Sequence, residues 1–164
     1  MRTLRFFLWL SVIGWGIGLG AKIFDLVVVA GSWAAEPPNS FASLPYGKRY
    51  PVDPGDFFIP LSAIMTLGLI GALISGWRAP IQLRRMLWLG AIAFLIIWAM
   101  TPTVFWPMIH QLYGIATGTI AATDAEAVQL ARRWVIWDSF RVGLIAAGFI
   151  AFVRAMSLPE ASTA

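Results

Sequence analysis

The sequence predicts an all-α integral membrane protein, a four-helix bundle with a long exoplasmic loop between its first and second helices. The first observation is composition: 59% of the 164 residues are hydrophobic and only 12% are charged, too few polar residues to cover a soluble domain of this size. The second is that four apolar stretches are each long enough to cross a hydrocarbon core of about 30 Å. The third is that basic residues collect near the ends of these stretches.

We predict a single transmembrane domain over residues 1–164, with spans at about 6–30, 57–77, 86–105 and 133–156. A cleaved signal peptide is the alternative for the N-terminal run, which is longer than a usual signal-peptide core. Alternating glycines in the first span would let a neighbouring backbone approach closely. Because Gly18 shares a face with Lys22, we expect Gly18→Leu to destabilise the bundle more than Gly71→Leu.

The segment from Gly31 to Asp56 carries five prolines, which exclude a continuous helix, and we predict an ordered exoplasmic loop there. Within it, alternating residues indicate a short strand or extended arm, and nearby aromatic residues favour a lid over disorder. The arm would contain Tyr46, Lys48, Tyr50 and Val52, and the lid would use Phe41, Tyr46, Tyr50, Phe57 and Phe58.

Basic residues at the predicted span ends set the expected topology. One side collects Arg2, Arg5, Arg78, Arg84, Arg85 and Arg154, and the other collects Lys48, Arg49, Arg132 and Arg133. The positive-inside rule therefore places both termini in the cytoplasm of a multi-pass protein of the inner (plasma) membrane. The net charge of +4 is explained by these arginines, and no basic run suited to nucleic acid is present.

Pro102 and Pro107 interrupt the end of the third span, so the helix either continues with a kink or bends onto the membrane surface. Either arrangement puts His110 near the outer interface. Thr123 or Asp124 is the expected N-cap of the fourth helix.

The absence of cysteine excludes disulfides, thiolate catalysis and iron–sulfur clusters. A single histidine cannot build a multi-histidine metal site, so no metal site is predicted. No cofactor is predicted either, although a haem with His110 as axial ligand is an alternative.

Four charged residues fall at the same predicted depth. Lys22 and Asp25 lie three residues apart in the first helix, and Asp138 and Arg141 lie three apart in the fourth. A lone charge in hydrocarbon costs roughly 2.5–3.5 kcal/mol on insertion scales, so we expect crossed pairs, Lys22 with Asp138 and Asp25 with Arg141. The alternative is a purely structural role, in which these residues hold the helices together or extend to the outer membrane interface.

The order of features resembles that of a family of small four-helix membrane proteins that includes the anthrone oxygenases. The shared features are a glycine-rich first helix, the sequence Met100-Thr101-Pro102-Thr103, and a fourth helix that opens with Ala131-Arg132-Arg133-Trp134 and carries Arg141. The long proline-rich loop departs from the family pattern, as does Asp138, near a position where relatives often carry histidine or asparagine.

This resemblance implies an oxygenase-like enzyme acting on a hydrophobic aromatic or quinone-like molecule in an exoplasmic-side pocket. An anthrone carbanion reacts with dioxygen directly, so such an enzyme needs a base and a cation. The candidate bases are His110 and Asp25, and the candidate cations are Arg141 and Lys22. A non-catalytic accessory subunit that binds lipid, pigment or quinone is the competing reading, and a homo-oligomer or larger membrane complex stays open.

Overall fold

The computed structural model of the chain describes residues 2–44 and 51–159. Four long helices cover Arg2–Trp33, Pro54–Ser75, Ile81–Ala116 and Asp124–Ser157, and each is long and apolar enough to cross a membrane. A short helix, Asn39–Ala42, follows the first long helix. No β-strand occurs within the described residues. The chain is therefore an all-helical, multi-pass membrane protein, as predicted.

The first and third long helices each contain a wider turn of π-helix near the predicted end of the span, and each helix continues beyond that end. These turns cover Asp25–Ala30 in the first helix and Thr101–Phe105 in the third. The third helix thus continues past its prolines to Ala116, which decides between the two predicted alternatives. Pro102 lacks the N–H that an ordinary helical turn requires, which accounts for a local change of winding there.

The segment after the first long helix contains more helix than predicted. The first helix continues to Trp33, and Asn39–Ala42 forms one further helical turn, so the start of the predicted loop contains short helical pieces but no continuous helix. The Ser40 hydroxyl fixes this turn by donating to the carbonyl of Trp33 at 2.5 Å. Of the predicted arm, Tyr46, Lys48 and Tyr50 lie outside the described residues, and Val52 is not in a strand.

The fourth long helix begins with a reciprocal capping interaction. The backbone N–H of Thr123 donates to the Glu126 carboxylate at 2.7 Å, and the backbone N–H of Glu126 donates to the Thr123 hydroxyl at 3.3 Å. This capping box satisfies backbone donors that have no partner inside the helix. Thr123 is therefore the N-cap, one of the two predicted residues.

Contacts divide the chain into two compact units, residues 1–20, 54–96 and 143–164, and residues 21–53 and 97–142. Parts of all four long helices pack together in the first unit. Trp15 is fully buried there, with its ring centroid 5.7 Å from that of Phe152 and 6.4 Å from that of Phe94. Gly148 lies against the same tryptophan ring. The predicted bundle packing is thus present, with Trp15 at its core.

Glycines bring the helices of the first unit into close contact, but Gly71, not Gly18, has the closer neighbour. Gly18 is buried and faces Met65, as its predicted inward orientation requires. A Cβ on Gly18 would lie 3.5 Å from Met65 Sδ, which is ordinary contact, whereas a Cβ on Gly71 would lie 2.2 Å from the Phe7 ring. The expectation that Gly18 is the less tolerant position is therefore wrong, because face periodicity does not report how close the facing atom is.

Candidate functional site

The four charged residues singled out from the sequence come together in the second unit. The Lys22 ammonium lies 3.0 Å from Oδ2 of Asp138 and also contacts Asp25. Arg141 donates from Nε to Oδ1 of Asp138 at 2.7 Å and contacts the same oxygen through its terminal nitrogen. The result is a chain of alternating charge, Asp25–Lys22–Asp138–Arg141, with zero net charge. We call these four residues the charge cluster.

One of the two predicted crossed pairs is present. The Lys22–Asp138 contact is confirmed. The Asp25–Arg141 pair is wrong, because within the described part of the chain Asp25 contacts Lys22 and Arg141 contacts Asp138. In both cases the partner lies three residues away on the same helix, where side chains meet within one turn. Among the described ion pairs of the charge cluster, Lys22–Asp138 is the one that joins the two helices.

Burial differs along the charge cluster. Asp138 is fully buried and Lys22 is 5% exposed, whereas the side chains of Asp25 and Arg141 keep 15% and 14% exposure. Oδ2 of Asp138 has no hydrogen bond of ordinary geometry within the described residues, so the Lys22 ammonium serves as its charge partner. The inner members, Lys22 and Asp138, compensate each other's charge, and the outer members, Asp25 and Arg141, are the more exposed pair.

Aromatic rings surround the charge cluster. The Arg141 guanidinium carbon lies 3.6 Å from the ring centroid of Phe105 and 5.9 Å from that of Trp134, and Lys22 Nζ lies 5.5 Å from the Trp134 centroid. Further rings follow in edge-to-face contacts, with centroid separations of 4.8 to 5.8 Å. The members of this aromatic shell are Trp33, Phe41, Phe105, Tyr113 and Trp134. The ring faces of Phe105 and Trp134 attract the two cations, which offsets part of the cost of burying them.

Sequence reasoning did not assign Trp33, Phe105 or Trp134 to the site. The sequence could have placed Trp134 at the site, because it precedes Asp138 by four residues and Arg141 by seven, and residues at these spacings share one helix face. The sequence could not have placed Phe105 there, because its contact with Arg141 joins two different helices. Phe41, which the sequence assigned to a lid, is buried against Trp33 and Tyr113.

Both π-helical turns border the site. Asp25 is the first residue of one, and Phe105 is the last residue of the other. Such turns are rare and occur frequently at functional sites, where they alter the direction of side chains along a helix. Their coincidence with two site residues supports a functional role for this region.

His110 does not join the charge cluster. Its side chain is exposed and has no hydrogen bond or ion pair within the described residues. No three His, Asp or Glu side chains of residues 2–44 and 51–159 are grouped so that they could hold a metal ion. An open groove in the second unit is lined by residues such as Gln111, Gln129 and Arg133, and by no member of the charge cluster.

These features define a multi-pass membrane protein that holds a neutral ion-pair chain inside a shell of aromatic rings. Residues 52–151, more than half of the chain, match the family described as anthrone oxygenase, and the chain belongs to that family. The match includes Phe105, Trp134, Asp138 and Arg141, whereas Lys22 and Asp25 precede it. No curated protein and no solved structure matches the chain.

Proposed function

We propose that this protein is a membrane-embedded oxygenase-like enzyme that acts on a hydrophobic aromatic or quinone-like molecule. The observation that carries the proposal is the Arg141 guanidinium, which lies against Phe105 and is hydrogen bonded to buried Asp138 while 14% of its side chain stays exposed. A flat aromatic substrate could stack among such rings, and a fixed cation would stabilise negative charge that develops on its oxygen.

In this proposal the two outer members of the charge cluster perform the chemistry. Asp25 is the base, because it is partly exposed and is contacted only by Lys22 within the described residues. Arg141 binds the developing enolate oxygen. Asp138 is a positioning residue, since it is fully buried and holds both Lys22 and Arg141. His110, the other candidate base, is less favoured because it makes no contact with the cluster.

For an anthrone substrate the reaction balances with dioxygen alone. Asp25 removes one proton from the ring methylene, and the resulting carbanion transfers electrons to dioxygen as a carbon–oxygen bond forms. Protonation gives a hydroperoxide, which loses the second methylene proton and breaks its oxygen–oxygen bond. The products are a quinone and water. The protein supplies proton transfer and charge stabilisation, so no cofactor is proposed.

The test uses the full chain purified into lipid nanodiscs, with anthrone as the probe. Quinone absorbance and oxygen uptake are measured against empty nanodiscs, because anthrones also oxidise without a catalyst. We expect a rate above this background. Loss of the base in Asp25→Asn should slow the catalysed rate by about 10²–10⁴-fold, and loss of the cation in Arg141→Met by about 10²–10³-fold.

The matched control is Glu36→Gln, which removes an exposed carboxylate whose side chain has no partner within the described residues. It should retain the wild-type rate. Each variant is first checked for wild-type thermal unfolding. A wild-type rate equal to that of empty nanodiscs would overturn the proposal for anthrones. The hypothesis of a non-catalytic accessory subunit would then be favoured. The absorption spectrum of the same preparation tests the haem alternative, for which a haem band lost in His110→Ala would be required.

The proposed location is the inner (plasma) membrane, with both termini in the cytoplasm. The distribution of basic residues supports this orientation. In it, the charge cluster lies toward the exoplasmic side.

A further inference from the structure

A second candidate site lies in the first unit, where the second long helix ends and the third begins. Here a groove of about 160 Å³ opens between the two helices. Its lining is apolar apart from one arginine, and consists of Leu73, Ile74, Gly76, Trp77, Arg84, Leu87 and Trp88. None of these residues takes part in the proposed reaction.

Arg84 has no anionic partner in the part of the chain that the structure describes. Its side chain is half-buried, and its guanidinium carbon lies 5.9 Å from the ring centroid of Trp77. Within residues 2–44 and 51–159 the guanidinium has no hydrogen bond or carboxylate partner. Arginine carries five N–H donors in a planar fork that suits the oxygens of a phosphate. The edge of an apolar groove is an unfavourable place for such a group unless an anion binds there.

The surrounding charge favours an anionic ligand. Arg78 and Arg85 are exposed neighbours of the groove in sequence. Asp56 is the only acidic residue among the described residues of this unit, and it lies in the first turn of the second helix. Trp77 lies about twenty residues further along the chain, just after the end of that helix at Ser75, so about 30 Å separates the two at 1.5 Å per residue. No described carboxylate of this unit therefore neutralises the arginines near the groove.

The shape and the exposed rings favour a lipid over a compact metabolite. Pockets for small molecules usually enclose about 300–1,000 Å³, which is larger than this groove. An acyl chain needs only a shallow apolar track. Trp77 and Trp88 are 66% and 47% exposed, which is typical of tryptophans at the level of lipid headgroups.

We propose that this groove binds an anionic phospholipid, with the phosphate on Arg84 and an acyl chain along Leu73, Ile74 and Trp88. Basic pockets between transmembrane helices bind acidic lipids in this way. The site shares no residue with the charge cluster and does not depend on the proposed oxygenase activity.

The test is lipid binding to the full chain in detergent, followed by native mass spectrometry and by the thermal unfolding midpoint. The probes are dioleoyl phosphatidylglycerol, dioleoyl phosphatidylcholine and inorganic phosphate. We expect phosphatidylglycerol alone to stay bound and to raise the midpoint. In Arg84→Gln its affinity should fall by about tenfold or more, since a charge-assisted contact is lost. Arg154→Gln, which removes an exposed arginine hydrogen bonded to Ser157, should bind as the wild type does.

A second variant keeps the test decisive if Arg84→Gln does not fold. Ile74 is 73% exposed and lines the groove, so Ile74→Glu adds a carboxylate that should repel the phosphate and weaken phosphatidylglycerol binding similarly. Equal binding of phosphatidylcholine would overturn the proposal, as would equal stabilisation by inorganic phosphate, which indicates a free-anion site. Unchanged phosphatidylglycerol affinity in either folded variant would overturn it too.

Discussion

Lys22 and Asp138 form an ion pair at 3.0 Å that joins the first long helix to the fourth. Both side chains are buried, and each carries a second partner on its own helix. Removal of either residue leaves an uncompensated charge in a medium that solvates charge poorly. The pair thus constrains how these two helices meet within the second unit, and it places Arg141 against the aromatic shell.

The first prediction concerns the energy of this pair. Asp138→Asn should reduce the free energy of unfolding by about 3–5 kcal/mol, as expected when one partner of a buried pair is removed. Adding Lys22→Met should restore part of the loss, because the cluster, left with Asp25 and Arg141, again has zero net charge. Denaturant unfolding of the two single variants and the double variant gives the coupling energy. Additivity within about 0.3–0.5 kcal/mol would mean that the contact is not an energetic pair.

The second prediction concerns the identity of the cation at position 141. Arg141→Lys preserves the charge, but an ammonium cannot both stack flat on Phe105 and donate from Nε to Asp138. We expect a loss of about 1–2 kcal/mol in unfolding free energy. Arg132→Lys is the matched control on the same helix, where the arginine is exposed, and it should stay within about 0.5 kcal/mol of wild type. Equal stability of the two variants would argue against a geometric role for the guanidinium.

The third prediction concerns the core of the first unit. A Cβ on Gly148 would lie 2.0 Å from the Trp15 ring, and Trp15 is fully buried, so the ring has little room to move. Gly148→Ala should therefore destabilise the protein by about 1–3 kcal/mol through overpacking. Gly143→Ala on the same helix meets no atom within 4 Å and should be neutral or slightly stabilising. Thermal unfolding of the two variants compares them directly, and the reverse order would contradict this packing.

The fourth prediction concerns orientation in the membrane. The chain has no cysteine, so single cysteines can be placed at Ser43 and Ala164 without a background signal. If both termini face the cytoplasm, a membrane-impermeant thiol reagent should label Ser43→Cys in intact cells and should label Ala164→Cys only after lysis. Labelling of the C-terminal position but not the loop in intact cells would reverse the proposed topology.

Local sequence patterns predicted the parts of the site that lie within one helix. The spacing of three residues from Lys22 to Asp25, and from Asp138 to Arg141, already implies side chains that meet within a turn. The family resemblance was likewise visible in short motifs, and the match over residues 52–151 agrees with it. The Lys22–Asp138 pair was also predicted, but not that, among the described residues, Asp25 pairs with Lys22 alone, because spacing along one helix does not specify how a second helix is rotated against it.

By itself the sequence determined the class of the protein, because apolar length and the scarcity of charge leave few alternatives to four helices in a membrane. It also determined the capped start of the fourth helix, since Thr123 and Glu126 are near neighbours. Only the tertiary structure decided that Phe105 packs against Arg141, that Phe41 joins the aromatic shell, and that Phe7 crowds Gly71. These contacts join residues far apart in the chain, and they depend on how helices rotate and approach each other, which periodicity within one helix does not specify.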